Sequence, residues 1–466
     1  MENFSDYSVW GFFSVFAVLL ISLLAANILK RNSRFLKASL IPTSVLAGGL
    51  LIVIASVYKL CTGDVMFDTV FFDSNGTAML EMITYHTLAL GFIASAFKKS
   101  GGKMNKKRTE EIFNTGVTTV STYLLQGTVG LLVTIVAALF LKDFLAGAGM
   151  LLPFGYGQGT GQAMNYGNIY EKDFGFVGGK SFGLTVAALG FLSASIGGVI
   201  HLNILRKMGK IKVKTVSEDK PLTSHDIESE NEIPMQESID KLTIQMALIA
   251  LAYFVAYLLM FTLGKLLPGM QSVIYGFNFL LGVLSATLVK LVMNFFMKKK
   301  IIKKEYTNDF LMTRVSNFFF DIMVVAGIAA IRLGILQNYW GVILILGVIG
   351  LVITYLYNHF VAKVLFPEYR EEQFLAMYGM LTGTASTGII LLREIDGDFK
   401  SPASDNLVYQ NFPAIVLGFP LMFLATYAPK APIATMLIIF AAFLVMNVVL
   451  FRKQIFKKKK KDDSEK

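Results

Sequence analysis

Gly157-Gln158-Gly159-Thr160-Gly161 (GQGTG) and the stretch from Gly379 to Gly388 (GMLTGTASTG) interrupt a chain that is otherwise built of long apolar segments. Hydrocarbon offers no partner to backbone N–H and C=O groups, so broken, small-residue backbone at membrane depth must line a cavity or pack within protein. Segments of this kind are where membrane carriers hold polar cargo.

The composition fixes that setting. Of 466 residues, 54% are hydrophobic and 16% charged, with a mean hydropathy of +0.59, which describes a polytopic membrane protein and excludes a soluble multidomain one. A net charge of +11 would suggest nucleic acid in a soluble chain. Here the Lys and Arg residues gather between apolar runs and read as cytoplasmic anchors, with the C-terminal lysines facing anionic lipid. Cys61 is the single cysteine, so an intrachain disulfide and dithiol chemistry are excluded.

Apolar runs of about 20 residues, enough to span a bilayer, fall at 9–29, 40–60, 76–97, 112–141, 178–205, 242–266, 272–297, 309–334, 339–362, 406–427 and 431–451. The glycine-rich segments at 144–168 and 373–392 are long enough to dip in and return. If both re-enter without crossing, the basic clusters Lys30–Lys37, Lys98–Arg108, Arg206–Lys214, Lys298–Lys304 and Lys457–Lys461 share one face, and Asp64, Asp68 and Asp73 lie on the other. The positive-inside rule then places the central linker and C-terminus in the cytoplasm and the N-terminus outside. The first run is preceded by Glu2 and Asp6 and followed by the basic cluster, so it reads as a retained helix and not a signal peptide.

The expected fold is an all-α polytopic membrane protein with two inverted-topology repeats of five transmembrane helices, each with a re-entrant hairpin, and one extra C-terminal helix. The first repeat covers 1–207, an acidic linker 208–240, the second repeat 241–430, and the extra helix with its basic tail 431–466. An odd number of spans in the first repeat starts the second from the opposite face, the arrangement that supports alternating access.

In the first tract, Gly157, Gly159 and Gly161 expose backbone amides and permit positive φ, while Gln158, Thr160 and Asn165 add polar side chains. Close helix packing also selects glycine, so the glycines alone are a weak signal. The second tract carries Thr382, Thr384, Ser386 and Thr387, hard oxygen ligands suited to an alkali cation, or hydroxyls merely bonded back to helix carbonyls. Asp321 lies within an apolar run and is a candidate Na⁺ ligand or proton carrier, with an ion pair to Arg332 or Arg314 on the same helix as its bland role. Gln126 and Asn411 can contact cargo or bond a neighbouring helix. His86 reads as a hydrogen-bonded packing residue, Arg393 as a solvated helix-end charge, and Pro413 and Pro420 as kinks in the tenth span. The sequence displays no Ser-His-Asp order, histidine metal cluster or Walker motif, so no enzymatic role is expected.

With Ile41-Pro42 and Ala47-Gly48-Gly49, Leu90-Gly91 and Ser100-Gly101-Gly102, Gln126 with Gly130, the Gly157–Gly161 tract and Gly197-Gly198, the chain resembles the bacterial sodium/glutamate symporter family over about 400 residues. The resemblance implies Na⁺-driven uptake of an acidic amino acid, a homodimer, and inverted five-helix repeats with re-entrant hairpins. The residues themselves point to Gly157 to Gly161, Gln126, Thr384 and Asn411 for the substrate and to Thr382, Ser386, Thr387 and Asp321, a charge that does not match the family, for Na⁺. Two departures stand out. Tyr156-Gly157 replaces adjacent glycines at the start of the first tract, and the second tract is poorer in glycine and runs into Arg393-Glu394. The rival readings are an organic-anion (2-hydroxycarboxylate-like) symporter coupled to Na⁺ or, through Asp321, to H⁺, and a passive ion channel, since re-entrant segments also build pores.

Overall fold

The computed structural model describes residues 3–98, 106–210, 232–235, 239–268, 271–396 and 400–455. Most of the expected linker, the Ser100-Gly101-Gly102 motif and the Lys457–Lys461 run lie outside the described residues. The principal elements are α1 (Tyr7–Asn32), α2 (Thr43–Thr62), α3 (Gly76–Phe97), α4 (Lys106–Phe140), α5 (Leu151–Gln158), α6 (Thr160–Phe174), α7 (Gly179–Lys207), α8 (Lys241–Leu266), α9 (Asn278–Lys298), α10 (Asp309–Ala329), α11 (Trp340–Leu365), α12 (Arg370–Thr382), α13 (Ala385–Arg393), α14 (Ala403–Tyr409), α15 (Asn411–Tyr427) and α16 (Pro432–Leu450). Ten described helices are long and apolar enough to cross a membrane, or eleven if the bent pair at 403–427 counts as one span. The protein is therefore a multi-pass, all-helical membrane protein.

Three expected spans differ in detail. The tenth is two arms inclined at 49°, with Pro413 at the head of the second arm and Pro420 inside it; proline lacks the N–H that would continue the ladder. The seventh is shorter, beginning at Asn278 after a separate turn of helix at Gln271–Gly276. The eighth ends at Ala329, so Arg332 does not share a helix with Asp321; the Arg332 backbone N–H donates to Ser181 Oγ at 3.1 Å.

The chain divides into two compact units, each assembled from both halves of the sequence. Unit 1 comprises 1–26, 47–102 and 216–330 and thus contains α3, α8, α9, α10, most of α1 and most of α2. Its core joins Ile93 and Phe97 of α3, Ile249 and Ala252 of α8, Ala286 of α9, and Met312 and Phe319 of α10. Gly91 lets α3 approach α10: a Cβ there would lie 2.7 Å from Phe320 Cε1, and Ser316 Oγ donates to the Gly91 carbonyl at 2.9 Å. His86 does hydrogen-bond, Nδ1 to Tyr253 Oη at 2.7 Å.

One buried ionic knot closes unit 1. Lys241, fully buried at the start of α8, donates to Glu232 at 2.9 Å, and Asn308 Nδ2 donates to the same carboxylate at 2.6 Å. Asn308 also caps α10 by accepting from Leu311 N at 2.7 Å. The knot ties the end of the linker region to two spanning helices.

Unit 2 comprises 27–46, 103–215 and 331–466 and contains α4–α7 and α11–α16. The expected extra helix, α16, is part of this unit: Tyr357 Oη of α11 donates to Asn447 Oδ1 at 2.9 Å, and Arg452, just beyond α16, donates to Asn114 Oδ1 of α4 at 3.0 Å.

Removing one partner of a buried ion pair strands the other, at a cost of about 3–5 kcal/mol. Lys241→Met should therefore lower the thermal unfolding midpoint in detergent by several degrees, and adding Glu232→Gln should recover part of the loss. Equal midpoints for wild type and Lys241→Met would contradict the structural role given to the knot.

Candidate functional site

Both tracts are broken helices within unit 2. The first breaks at Gly159, between α5 and α6, with φ 81° and ψ −170°, a conformation that a side chain disfavours. The second breaks at Gly383 and Thr384, between α12 and α13. At such breaks the last carbonyls of one arm and the first N–H groups of the next lose their intrahelical partners.

Glycine packing explains part of each tract. A Cβ at Gly157 would meet Tyr123 Cε1 at 2.1 Å, and a Cβ at Gly388 would meet the Ala376 carbonyl at 2.3 Å. Gly159 differs in being set by its dihedral angles. These are the two physical reasons for glycine, close approach and positive φ, and the first tract uses both.

One turn of α4 holds the two breaks. Tyr123 Oη donates to the Gly157 carbonyl at 3.0 Å, and three residues along the same helix Gln126 Nε2 donates to the Leu381 carbonyl at 3.0 Å and to Thr354 Oγ1 of α11 at 2.8 Å. Residues three apart on a helix lie about 5–6 Å from each other between Cβ atoms, so the end of α5 and the end of α12 are neighbours. Gln126 is wholly buried, and its Oε1 has no hydrogen-bond partner.

A polar stripe continues along α4. Thr122 accepts from Asn358 Nδ2 of α11 at 3.3 Å, Thr119 donates to Gln410 Oε1 at 2.8 Å, and Thr115 accepts from Gln373 Nε2 of α12 at 3.2 Å. Thr115, Thr119, Thr122 and Gln126 recur at spacings of four, three and four, a helical face of polar groups readable in the sequence but missed there because each residue is common in isolation. Buried polar atoms without a hydrogen-bond partner include Asn358 Oδ1 and Asn406 Oδ1 near the stripe and, at the first break, both amide atoms of Gln162. Gln162 is 1% exposed and sits in the first turn of α6, immediately beyond the Gly159 break. Buried groups left without partners cost free energy and mark where a ligand or water completes the structure. Sequence reading passed over Gln162 because it lies just outside the glycine run.

The expected site residues sort unequally. Gly157, Gly159, Thr160, Gly161 and Gln126 are buried at or beside the first break, with Gln158 half-buried as the last residue of α5. Thr382 and Thr387 are buried at the second break; Thr382 Oγ1 donates back to the Tyr378 carbonyl at 2.6 Å, the bland role foreseen for these hydroxyls, while Thr384 Oγ1 and Thr387 Oγ1 lie 3.4 Å apart. The Ser386 side chain lies outside the described residues. Asn411 is half-buried and accepts from Gln410 Nε2 at 2.8 Å. Arg393 is exposed at the last turn of α13. Asp321 belongs to unit 1, on an exposed face of α10, and is not among the residues gathered in unit 2.

The family model for the sodium/glutamate symporters matches residues 11–388, a span that contains the first broken pair, the break at Gly383 and Thr384, and the α4 stripe. The chain belongs to the sodium/glutamate symporter family. No curated protein and no solved structure matches the chain significantly. The match ends at Gly388 within α13, so α14, α15 and α16 lie beyond it.

A methyl group at Gly159 must be carried at a φ that costs about 1–3 kcal/mol. Gly159→Ala should reduce transport at least about tenfold, whereas Gly175→Ala, at the far end of α6 and in the left-handed region (φ 68°, ψ 19°) that an L-residue can enter, should leave it nearly intact. Equal transport by Gly159→Ala and wild type, measured at matched surface abundance, would remove the first break from the site.

Proposed function

We propose that this member of the family is a Na⁺-coupled symporter that imports an acidic amino acid, glutamate foremost, by alternating access. The observation that carries the reading is the pair of helix breaks held together by Tyr123 and Gln126, because it presents the N-terminal end of α6 beside the C-terminal end of α12. A helix N-terminus attracts carboxylate and a helix C-terminus attracts a cation. The N–H groups of Gly161 and Gln162 and the Gln162 amide receive a substrate carboxylate, with Gln158 and Thr160 beside them; Gln126 and Asn411 are the further substrate contacts of this reading. Carbonyls at the end of α12, with Thr382 and Thr387, receive Na⁺, and Thr384, whose Oγ1 lies 3.4 Å from Thr387 Oγ1, serves the substrate.

The chemistry of this group favours Na⁺ over H⁺ coupling. Its members are amides, hydroxyls and main-chain carbonyls, none of which takes up a proton near neutral pH. Each unit also draws matching helices from the two halves of the chain, α1–α3 with α8–α10 and α4–α7 with α11–α15, which is the order an inverted repeat would give. The homodimer, and the cytoplasmic placement of linker and C-terminus in a bacterial cell membrane, are part of this proposal.

Purified protein in liposomes should concentrate glutamate under an inward Na⁺ gradient and stop when the gradient is collapsed. Failure to accumulate any acidic amino acid refutes the reading, a 2-hydroxycarboxylate taken up instead transfers it to the organic-anion alternative, and a large unitary conductance would establish a channel. Gln162→Met removes two partnerless polar atoms, so its stability should match or exceed wild type while substrate affinity falls about tenfold, the worth of one buried hydrogen bond; unchanged affinity would exclude Gln162. Asp321→Asn should leave the Na⁺ and pH dependence of uptake as in wild type, and the loss of a pH-gradient response would instead assign proton coupling to Asp321.

A further inference from the structure

Away from the helix breaks, unit 2 brings together two of the chain's four histidines. His201 of α7, His359 of α11 and Glu371 of α12 each offer a ligand atom within 4.8 Å of the others, although they come from three helices and are far apart in sequence. His201 Nε2 lies 3.0 Å from Glu371 Oε2, and the two imidazole rings have centroids 5.7 Å apart. His359 Nδ1 is buried and makes no hydrogen bond.

We propose that His201, His359 and Glu371 form a binding site for a borderline divalent transition ion such as Zn²⁺. Two imidazoles and one carboxylate are a donor set that suits such an ion and leaves a fourth position for water. Tetrahedral ligands about 2.1 Å from zinc are about 3.4 Å apart. The His201–Glu371 pair is already closer than that, and a rotation of the His359 ring completes the set.

The surroundings orient the donors. Tyr355 Oη lies 2.8 Å from His201 Nδ1, so the tautomer with its proton on Nδ1 donates to the tyrosine and turns the Nε2 lone pair toward the ion. Glu371 Oε1 is taken by Arg370, whose Nε donates to it at 3.0 Å, and by Lys210 at 3.6 Å, while Oε2 is directed to the histidine. The cations facing His359 are Arg370, Lys363 and Lys210. They oppose a dication, so the affinity belongs in the micromolar range and not in the tighter range of closed structural zinc sites. An ion here fastens the first turn of α12 to α7 and α11, about 17 Å along α12 from the break that follows Thr382. Occupancy thereby restrains one arm of the second broken pair.

The test is titration of purified full-length protein in detergent with ZnCl₂, read by isothermal calorimetry and by the thermal unfolding midpoint, with MgCl₂ as control. Wild type should bind one Zn²⁺ and gain several degrees, and MgCl₂ should do neither. His359→Phe keeps the ring that packs on Phe374 and loses no hydrogen bond made by Nδ1, so it should fold as wild type yet bind Zn²⁺ at least about tenfold more weakly. Glu371→Gln should weaken binding similarly, and His86→Phe should bind like wild type. Absence of a zinc response in wild type overturns the proposal, as does wild-type affinity in His359→Phe, whether or not Glu371→Gln folds.

Discussion

A carbonyl released where a helix breaks inside a membrane must find a donor within the protein, and that requirement organises unit 2. Tyr123 and Gln126, one turn apart on α4, each serve a carbonyl near a different break, Gly157 at the end of α5 and Leu381 near the end of α12. Because both donors stand on one rigid helix, the breaks are held at a fixed spacing. Two features that are weak separately, a run of glycines and a run of threonines, are tied to the same turn of α4 by those hydrogen bonds.

The rest of unit 2 is arranged to permit this. Gly157 gives Tyr123 room to lie against the backbone, and Gly388 lets α13 fold back on α12 at Ala376. The α4 threonines carry polar partners from α11 and α12 into an apolar environment without charge, at the modest cost of neutral hydrogen bonds. Unit 1 is built differently. Its helices meet through Gly91 against Phe320, and a buried ionic knot lies where the linker region returns to α8 and α10.

Much of the fold was legible in the sequence. Hydropathy alone places the spanning helices, because each must be long and apolar enough for the bilayer, and glycine with polar residues marks both interruptions. Boundaries were less legible where proline or a short turn divides a run, as at 409–413 and at Phe277. Pairing along a run also misled: Asp321 and Arg332 look like members of one helix, but α10 stops between them and the chain passes into the other unit.

What the sequence by itself determined is the class of protein, its helices and the two places where they break, because those follow from local composition and period. Only the tertiary structure decided which residues meet. Gln162 became a candidate through burial without a partner, and Asp321 falls in unit 1 whereas both breaks fall in unit 2. His201, His359 and Glu371 joined because three helices pack side by side. Hydropathy is a property of each segment against its solvent, whereas hydrogen-bond and ligand geometry is a property of pairs of segments, and a linear pattern does not contain those distances.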